Sequence, residues 1–467
     1  MTDPRTLVEK IIDAHTIRRF AGRSLLYLDR IVTADTSRSI FHLLEAGGYK
    51  VHRPRQVLYI PDHFTPSKGR RLDDVPDPDI RQVIADTEAF SRNAGLRMFP
   101  MGDARRGIQH SVSIEQGFAL PGLTVAAADS HTLTQGAVGA LALSISADMV
   151  HALATQTIWL KSPEQMRIEL HGRTGRGVSA KDVMLTLLAR LGARGAAGKA
   201  VEFCGSYVEA LGMGGRMTLC NLATELGARA AVVAPDDITF GAVASPSFAP
   251  EGDEWKTFQA AATSLRSDAD ATWSSSVSLD VAEAEPMVSW GTSPADVLPI
   301  GGRIPDPQRE PDVARRGRME TSLAYMGLTP GTPLRGLAVD QVFIGSCGNA
   351  HIEDLQTAAT LLERRKVRVP TLVIPGSGAV KAEAEARGLA DIFRAAGALW
   401  GESGCSLCNA MNGDVVGEGK RCASTGNRNH IGRQGKNART HVLSPAMAAA
   451  AAVTGRLIDV REFPGEP

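Results

Sequence analysis

The sequence predicts an α/β protein of several domains, each organised around a mostly parallel sheet. Three observations carry this. The chain has 467 residues, more than one hydrophobic core organises, so two or three domains are expected. Short apolar runs such as Leu58-Tyr59-Ile60 end in polar residues, the pattern of buried strands in α/β sheets. From about Leu337 such runs alternate with helix-length stretches in a βαβ rhythm.

Taken in order, residues 1–164 form the first expected domain. Leu58-Tyr59-Ile60 leads into Pro61-Asp62-His63, and Leu123–Ala128 leads into Asp129-Ser130-His131. Carboxyl ends of strands are where α/β sheets place their active sites. The pattern restarts near Gln165 with Met166–Leu170, opening a second domain over 165–290. Residues 240–310 are rich in Ser, Pro, Asp and Gly and are expected to be irregular loops and a linker. The third domain, 291–467, begins its rhythm with a strand at Val339–Ile344, a helix at Ile352–Arg365 and a strand at Thr371–Ile374. A helix follows over Val380–Ala396, ended by Gly397, and the alanine-rich Ala446–Val453 reads as another. Gly376-Ser377-Gly378 lacks the full dinucleotide fingerprint and is expected to be a tight strand-to-helix turn. The glycine-rich Gly192–Gly198 has no clear strand before it and is a poor phosphate loop.

Composition narrows the function classes. With 51 basic and 51 acidic residues there is no global field to favour nucleic acid or a membrane surface. No apolar stretch is long enough to span a bilayer, and the N-terminus lacks the apolar core of a secretory signal. Six cysteines in a chain of this size are too few for a disulfide scaffold, so a reducing cytoplasm is the expected compartment.

Three cysteines carry the strongest chemical signal. Cys347 sits in Gly345-Ser346-Cys347-Gly348-Asn349 after an apolar run, and Cys405-Ser406-Leu407-Cys408 is a C-x-x-C. Three thiolates can hold a metal centre with one position left open, which is the arrangement of a centre that performs chemistry. The motif alone leaves zinc and iron–sulfur both open. Asp62-His63 and Asp129-Ser130-His131 pair an imidazole with a carboxylate that can orient and polarise it for acid–base work. Lys420–His441 contains Lys420, Arg421, Arg428, Arg433, Lys436 and Arg439 and no acidic residue. It lacks the interleaved aromatics of a single-strand nucleic-acid surface, and Asn427-Arg428-Asn429 with Gly432-Arg433-Gln434-Gly435 suits a polycarboxylate ligand better.

These residues closely resemble the large subunits of 3-isopropylmalate dehydratases, in the aconitase superfamily, almost from end to end. The most specific stretches are Asp129-Ser-His-Thr, Ala152-Leu-Ala-Thr-Gln-Thr, Val201-Glu-Phe-Cys-Gly and Gly215-Arg-Met-Thr-Leu-Cys-Asn. Gly345-Ser-Cys, Gly404–Asn412 and Arg421-Cys-Ala-Ser-Thr through Met447 complete the set. The resemblance implies three α/β/α domains around a central cluster, without the fourth, swivelling domain. It implies one [4Fe–4S] cluster per large subunit, held by Cys347, Cys405 and Cys408, while Cys204, Cys220 and Cys422 are read as buried small hydrophobes. By the same likeness Asp62, His63, His110, Asp129, His131 and Glu202 form the catalytic set. Ser130, Asn427, Arg428 and Arg433 bind substrate.

The implied reaction interconverts 2-isopropylmalate and 3-isopropylmalate by dehydration and rehydration, in leucine biosynthesis. A metal-bound hydroxyl leaves more readily, and arginines stabilise the charge that builds on the substrate carboxylate. The family's base is a serine in a Gly-Ser-Ser-Arg type loop on the swivelling domain, and this sequence has no such loop. The implied partner is therefore a small subunit that supplies the base, with an alkylmalate as substrate and neither nucleic acid nor membrane involved. The sequence departs from the family pattern at Gly348, Ala350 and His351 beside Cys347, at His430 and at Ala34. One residue is also missing around Ser144–Met149. Those departures point to another alkylmalate, or a homoaconitate or citramalate-type substrate, as the alternative.

Overall fold

The structure, a computed structural model, describes residues 3–244 and 247–463. It gathers into two compact units. The first holds the chain up to Thr65, Arg70–Gly172 and Ala196–Asp280. The second holds Pro66–Gly69, Arg173–Gly195 and the chain from Val281 onward. No helix among the described residues is long and apolar enough to cross a membrane.

The first unit contains a five-stranded sheet in the order Arg97–Met98, Val57–Tyr59, Arg30–Thr33, Thr124–Ala127, Leu141–Ser144, with every neighbouring pair parallel. Its strands read as unbroken apolar runs because they are covered on both faces; Val57, Leu58 and Tyr59 are fully buried. The chain starts at the middle strand, winds out through Val57–Tyr59 to Arg97–Met98, then crosses to the other flank. The reversal falls between Arg30–Thr33 and Thr124–Ala127, and a crevice opens at their carboxyl ends. Helix Pro78–Asn93 starts at Asp77, whose carboxylate accepts from the N–H groups of Asp79 and Ile80. It packs on helix Arg38–Ala46 through stacked Phe41 and Phe90 rings, 4.1 Å between centroids.

A second parallel sheet of the same unit runs Ala230–Val233, Lys199–Cys204, Glu164–His171, Ser275–Asp280. One core serves both sheets: Ile31, Tyr59 and Leu141 share a buried cluster with Ala200, Ala230 and Val232. Gly136, in the 3₁₀ segment Ser130–Val138, lies against the second sheet, where a Cβ would be 1.7 Å from the carbonyl oxygen of Ala231. Only glycine permits that approach.

The second unit repeats the winding of the first sheet. Its five parallel strands lie in the order Leu399–Trp400, Thr371–Val373, Gln341–Ile344, Arg421–Ser424, Arg439–Val442, so the reversal falls between Gln341–Ile344 and Arg421–Ser424. The alanine-rich helix Pro445–Thr454 packs against helix Ile352–Leu362 in the buried core of this unit. Its small side chains let two backbones lie close. Strand Thr371–Val373 passes to helix Gly378–Ala386 through the short turn expected there; Ser377 caps the helix by accepting from Val380 N–H, and Gly376 N–H donates to Ala350 O at 3.0 Å.

Two expectations need correction. The stretch 240–310 is not merely loop and linker: it holds helix Gly252–Thr263 and the edge strand Ser275–Asp280. Neither advertises itself, because the helix buries only Ala262 and the strand is half serine and buries only Leu279. The single helix expected over Val380–Ala396 is two, Gly378–Ala386 and Leu389–Ala396, broken at Gly388, whose φ of +73° is left-handed.

Candidate functional site

In the first unit the expected Asp–His pairs come together at the sheet reversal. Asp35 follows strand Arg30–Thr33, Asp62 and His63 follow Val57–Tyr59, and Asp129 follows Thr124–Ala127. His110 projects from helix Gln109–Glu115, whose first N–H, that of Gln109, donates to Asp62 Oδ2 at 3.0 Å. His63 Nδ1 lies 2.5 Å from Asp62 Oδ1 and its Nε2 lies 3.2 Å from Asp129 Oδ2. The other oxygen of Asp129 is 3.1 Å from His110 Nε2 and accepts from His131 N–H at 2.7 Å. The result is one chain of contacts, Asp62–His63–Asp129–His110.

The electrostatics follow from the geometry. Burial alone would push His63 down, but the carboxylates of Asp62 and Asp129 outweigh it and hold the imidazole well above its usual value. A carboxylate against each ring nitrogen favours a proton on both and so the cationic imidazole. Burial would raise Asp129, yet His110 and His63 hold it well below the usual carboxylate range. Asp35, which sequence reasoning did not single out, is buried and pushed up to about 6 by burial and by the charge of Asp62. Its oxygens accept from His63 N–H and Phe64 N–H, at 3.2 and 2.8 Å, and so fix the loop that carries His63.

His131 is held from its other side. Its Nε2 lies 3.0 Å from Glu225 Oε1, and Ser130 Oγ lies 3.2 Å from its Nδ1. Glu225, in the short turn Ala223–Leu226, is thus the carboxylate that joins this set. Glu202, expected there, does not join it. Its Oε2 accepts from Ser267 Oγ at 2.6 Å, and Ser267 Oγ in turn accepts from Leu7 N–H at 2.7 Å. Glu202 therefore ties helix Leu7–His15 to the second sheet, and burial raises its carboxyl. Glu225, which follows Asn221-Leu-Ala-Thr, carries no local motif, and only its contact with His131 brings it to this group.

In the second unit the three expected cysteines lie in loops leaving the same, carboxyl edge of the parallel sheet. Cys347 follows Gln341–Ile344, and Cys405 and Cys408 follow Leu399–Trp400. Each is 6% exposed and, like the other described cysteines, is not in a disulfide. Ser346 (φ +90°) and Ser406 (φ +45°) take left-handed backbone conformations beside them, a strain typical of functional loops. Ser67 and Ser406 donate to Asp414 at 2.9 and 2.6 Å, which pins the C-x-x-C loop. The loop after strand Arg421–Ser424 binds both cysteine segments. Asn427 Nδ2 donates to Cys347 Sγ at 3.0 Å, Arg433 Nε to Cys408 O at 2.7 Å, and Gln434 Nε2 to Leu407 O at 2.8 Å.

Each of these three buried cysteines offers a soft sulfur donor of the kind that iron–sulfur centres and zinc take, and one of the sulfurs receives an amide N–H. The remaining cysteines differ. Burial pushes the thiol of Cys204 up to about 11, and those of Cys220 and Cys422 higher still, so all stay protonated and quiet. Cys204 is only half-buried, however, not enclosed as expected.

The basic segment is less free than its composition suggests. Lys420 pairs with Asp340 at 3.0 Å and Lys436 with Glu418 at 3.1 Å. Arg421 donates to Met326 O and to His441, and Arg439 donates to Tyr325 O. Arg428 and Arg433 are half-buried, and Arg433 donates to Cys408 O. Asn427 is buried, its amide engaged with Cys347 and with Lys181. Beside Cys347, His351 stands at the start of helix Ile352–Leu362, where Asp354 accepts its N–H at 3.2 Å.

The family model described as "Aconitase family (aconitate hydratase)" matches residues 9–455, and the chain belongs to that family. It is thereby a hydro-lyase or isomerase of the aconitase type, in a family whose members bind a [4Fe–4S] cluster. Among solved structures it is similar to the crystal structure of Thermococcus kodakaraensis aconitase X in its holo form. The TM-score is 0.48 at 11% identity, over 98% of this chain and 94% of that one.

Proposed function

We propose that this chain is the cluster-bearing subunit of a hydro-lyase that interconverts 2-isopropylmalate and 3-isopropylmalate by dehydration and rehydration, in leucine biosynthesis. In this reading it works in the cytoplasm beside a small subunit that brings the catalytic base. The observation that carries the reading is the chain Asp62–His63–Asp129–His110, which keeps a proton on a buried imidazole at neutral pH. Cys347, Cys405 and Cys408 would hold the cluster, which supplies Lewis acidity toward a substrate hydroxyl when bound.

The chain's own residues would do the rest. Hydroxide is a poor leaving group, and a proton delivered as the C–O bond breaks makes it water. His63 holds such a proton on Nε2, and Asp129 links it to His110 for resupply. Asp35 and Asp62 keep the ring in place. Arg428 and Arg433 would bind substrate carboxylates, with Arg433 turned by its bond to Cys408 O. Glu225 sets the orientation of His131.

The departures at Ala34, buried just before Asp35, and at exposed His430, next to Arg428 and Asn429, favour a second reading: another alkylmalate, or a homoaconitate or citramalate-type substrate. One experiment separates them. The chain is co-expressed with a small-subunit partner, purified without oxygen and assayed on a panel of alkylmalates. Brown protein active on isopropylmalate is expected. Colourless protein with stoichiometric zinc would overturn the cluster, and activity of the chain alone would overturn the partner.

A further inference from the structure

Among the described residues of the second unit, Lys181 is a buried cation that the proposed function does not use. It lies at the start of helix Ala180–Leu191 and is fully buried. A buried ammonium at the positive end of a helix is doubly unfavourable, so its surroundings must account for it. Its Nζ donates to the carbonyls of Thr425 and Gly426 at 3.1 and 2.9 Å and lies 3.5 Å from Asn427 Oδ1. The same Asn427 donates through Nδ2 to Cys347 Sγ at 3.0 Å.

The side-chain amide could face the sulfur with either end. An ammonium can only donate, so the amide oxygen must be the end that faces Lys181, and the nitrogen is left for the sulfur. Without the lysine the amide is free to turn, and an oxygen against a thiolate is repulsive. The carbonyl contacts to Thr425 and Gly426 hold the same loop at the correct height.

We propose that Lys181 is a positioning residue for the cysteine centre: it locks the Asn427 amide so that Cys347 receives an N–H bond, and places a positive charge one residue from that sulfur. This rests on Cys347 being a cluster ligand. Hydrogen bonds and charge at ligand sulfurs set cluster potential and retention, and partners at this remove change metal affinity by about tenfold to a hundredfold.

The test uses anaerobically purified holoprotein of the wild type, Lys181→Met, Asn427→Ala and the double variant. Cluster midpoint potential is followed by EPR, the bleaching rate in air by absorbance, and melting of the apo forms serves as a fold control. Lys181→Met and Asn427→Ala should each shift the potential negative and bleach about tenfold faster. The double variant should differ little from the worse single, since both act through one bond. A Lys181→Met protein with wild-type potential and bleaching but a lower melting temperature would reduce the lysine to a structural prop. Fully additive effects would remove the Asn427 link. If Lys181→Met does not fold, Asn427→Ala decides alone, because a wild-type potential there overturns the proposal. A wild type that takes up no cluster condemns the proposed function instead.

Discussion

At the residue scale, Asp129 is the joint of the proton chain, because its two oxygens serve His63 and His110 separately. Asp129→Asn keeps the shape but removes the charge, and should lower kcat about a thousandfold while the cluster spectrum is retained; steady-state rates beside absorbance check this. The pH dependence of His63 has a definite sign. Its pKa is raised in the folded state, so its contribution to stability is fully present below the usual imidazole value of about 6.5 and is lost as pH climbs through the raised one. The melting-temperature gap between wild type and His63→Gln should therefore narrow from pH 6 to 10; a gap that widens would contradict the ion-paired assignment. Glu225 and Glu202 separate by the same kind of measurement. Glu225→Gln should cut activity at least tenfold with little change in melting. Glu202→Gln should leave kcat nearly intact and destabilise by about 1–3 kcal/mol, through the lost anchor to Ser267.

At the element scale, close approach of backbones decides more than side-chain pattern. Gly136→Ala drives a Cβ into Ala231 O and should cost about 1–3 kcal/mol, read by denaturant melting. What the sequence made legible follows the same physics. Strands before Asp62, Asp129 and Cys347 were readable because full burial leaves them as unbroken apolar runs ending at the site. Helix Gly252–Thr263 and strand Ser275–Asp280 were not, because they sit at the surface and bury almost nothing. The thiols, the His–Asp pairs and the arginine loop could be named from local motifs. Glu225, Asp35 and Lys181 could not, since each earns its role through partners 94, 28 and 246 positions away.

At the scale of the whole molecule, cluster binding should act as folding energy, since a ligand that favours the native state raises its melting temperature. Chelating iron from the holoprotein should lower melting to the apo value, and Cys405→Ser should start at that value and show no further change. A Cys405→Ser protein that retained iron would displace Cys405 from the ligand set. The wider consequence concerns the shared winding of the two five-stranded sheets, each running outward from its middle strand and then doubling back. A winding used twice in one chain supplies two notches, and here they are furnished differently: imidazoles and carboxylates dominate one, thiols and arginines the other. The strands of each are specified by burial alone, while the notch is furnished only by the segments that leave them. Chemistry can therefore be rewritten in such a protein by exchanging those segments, with the two frameworks inherited unchanged.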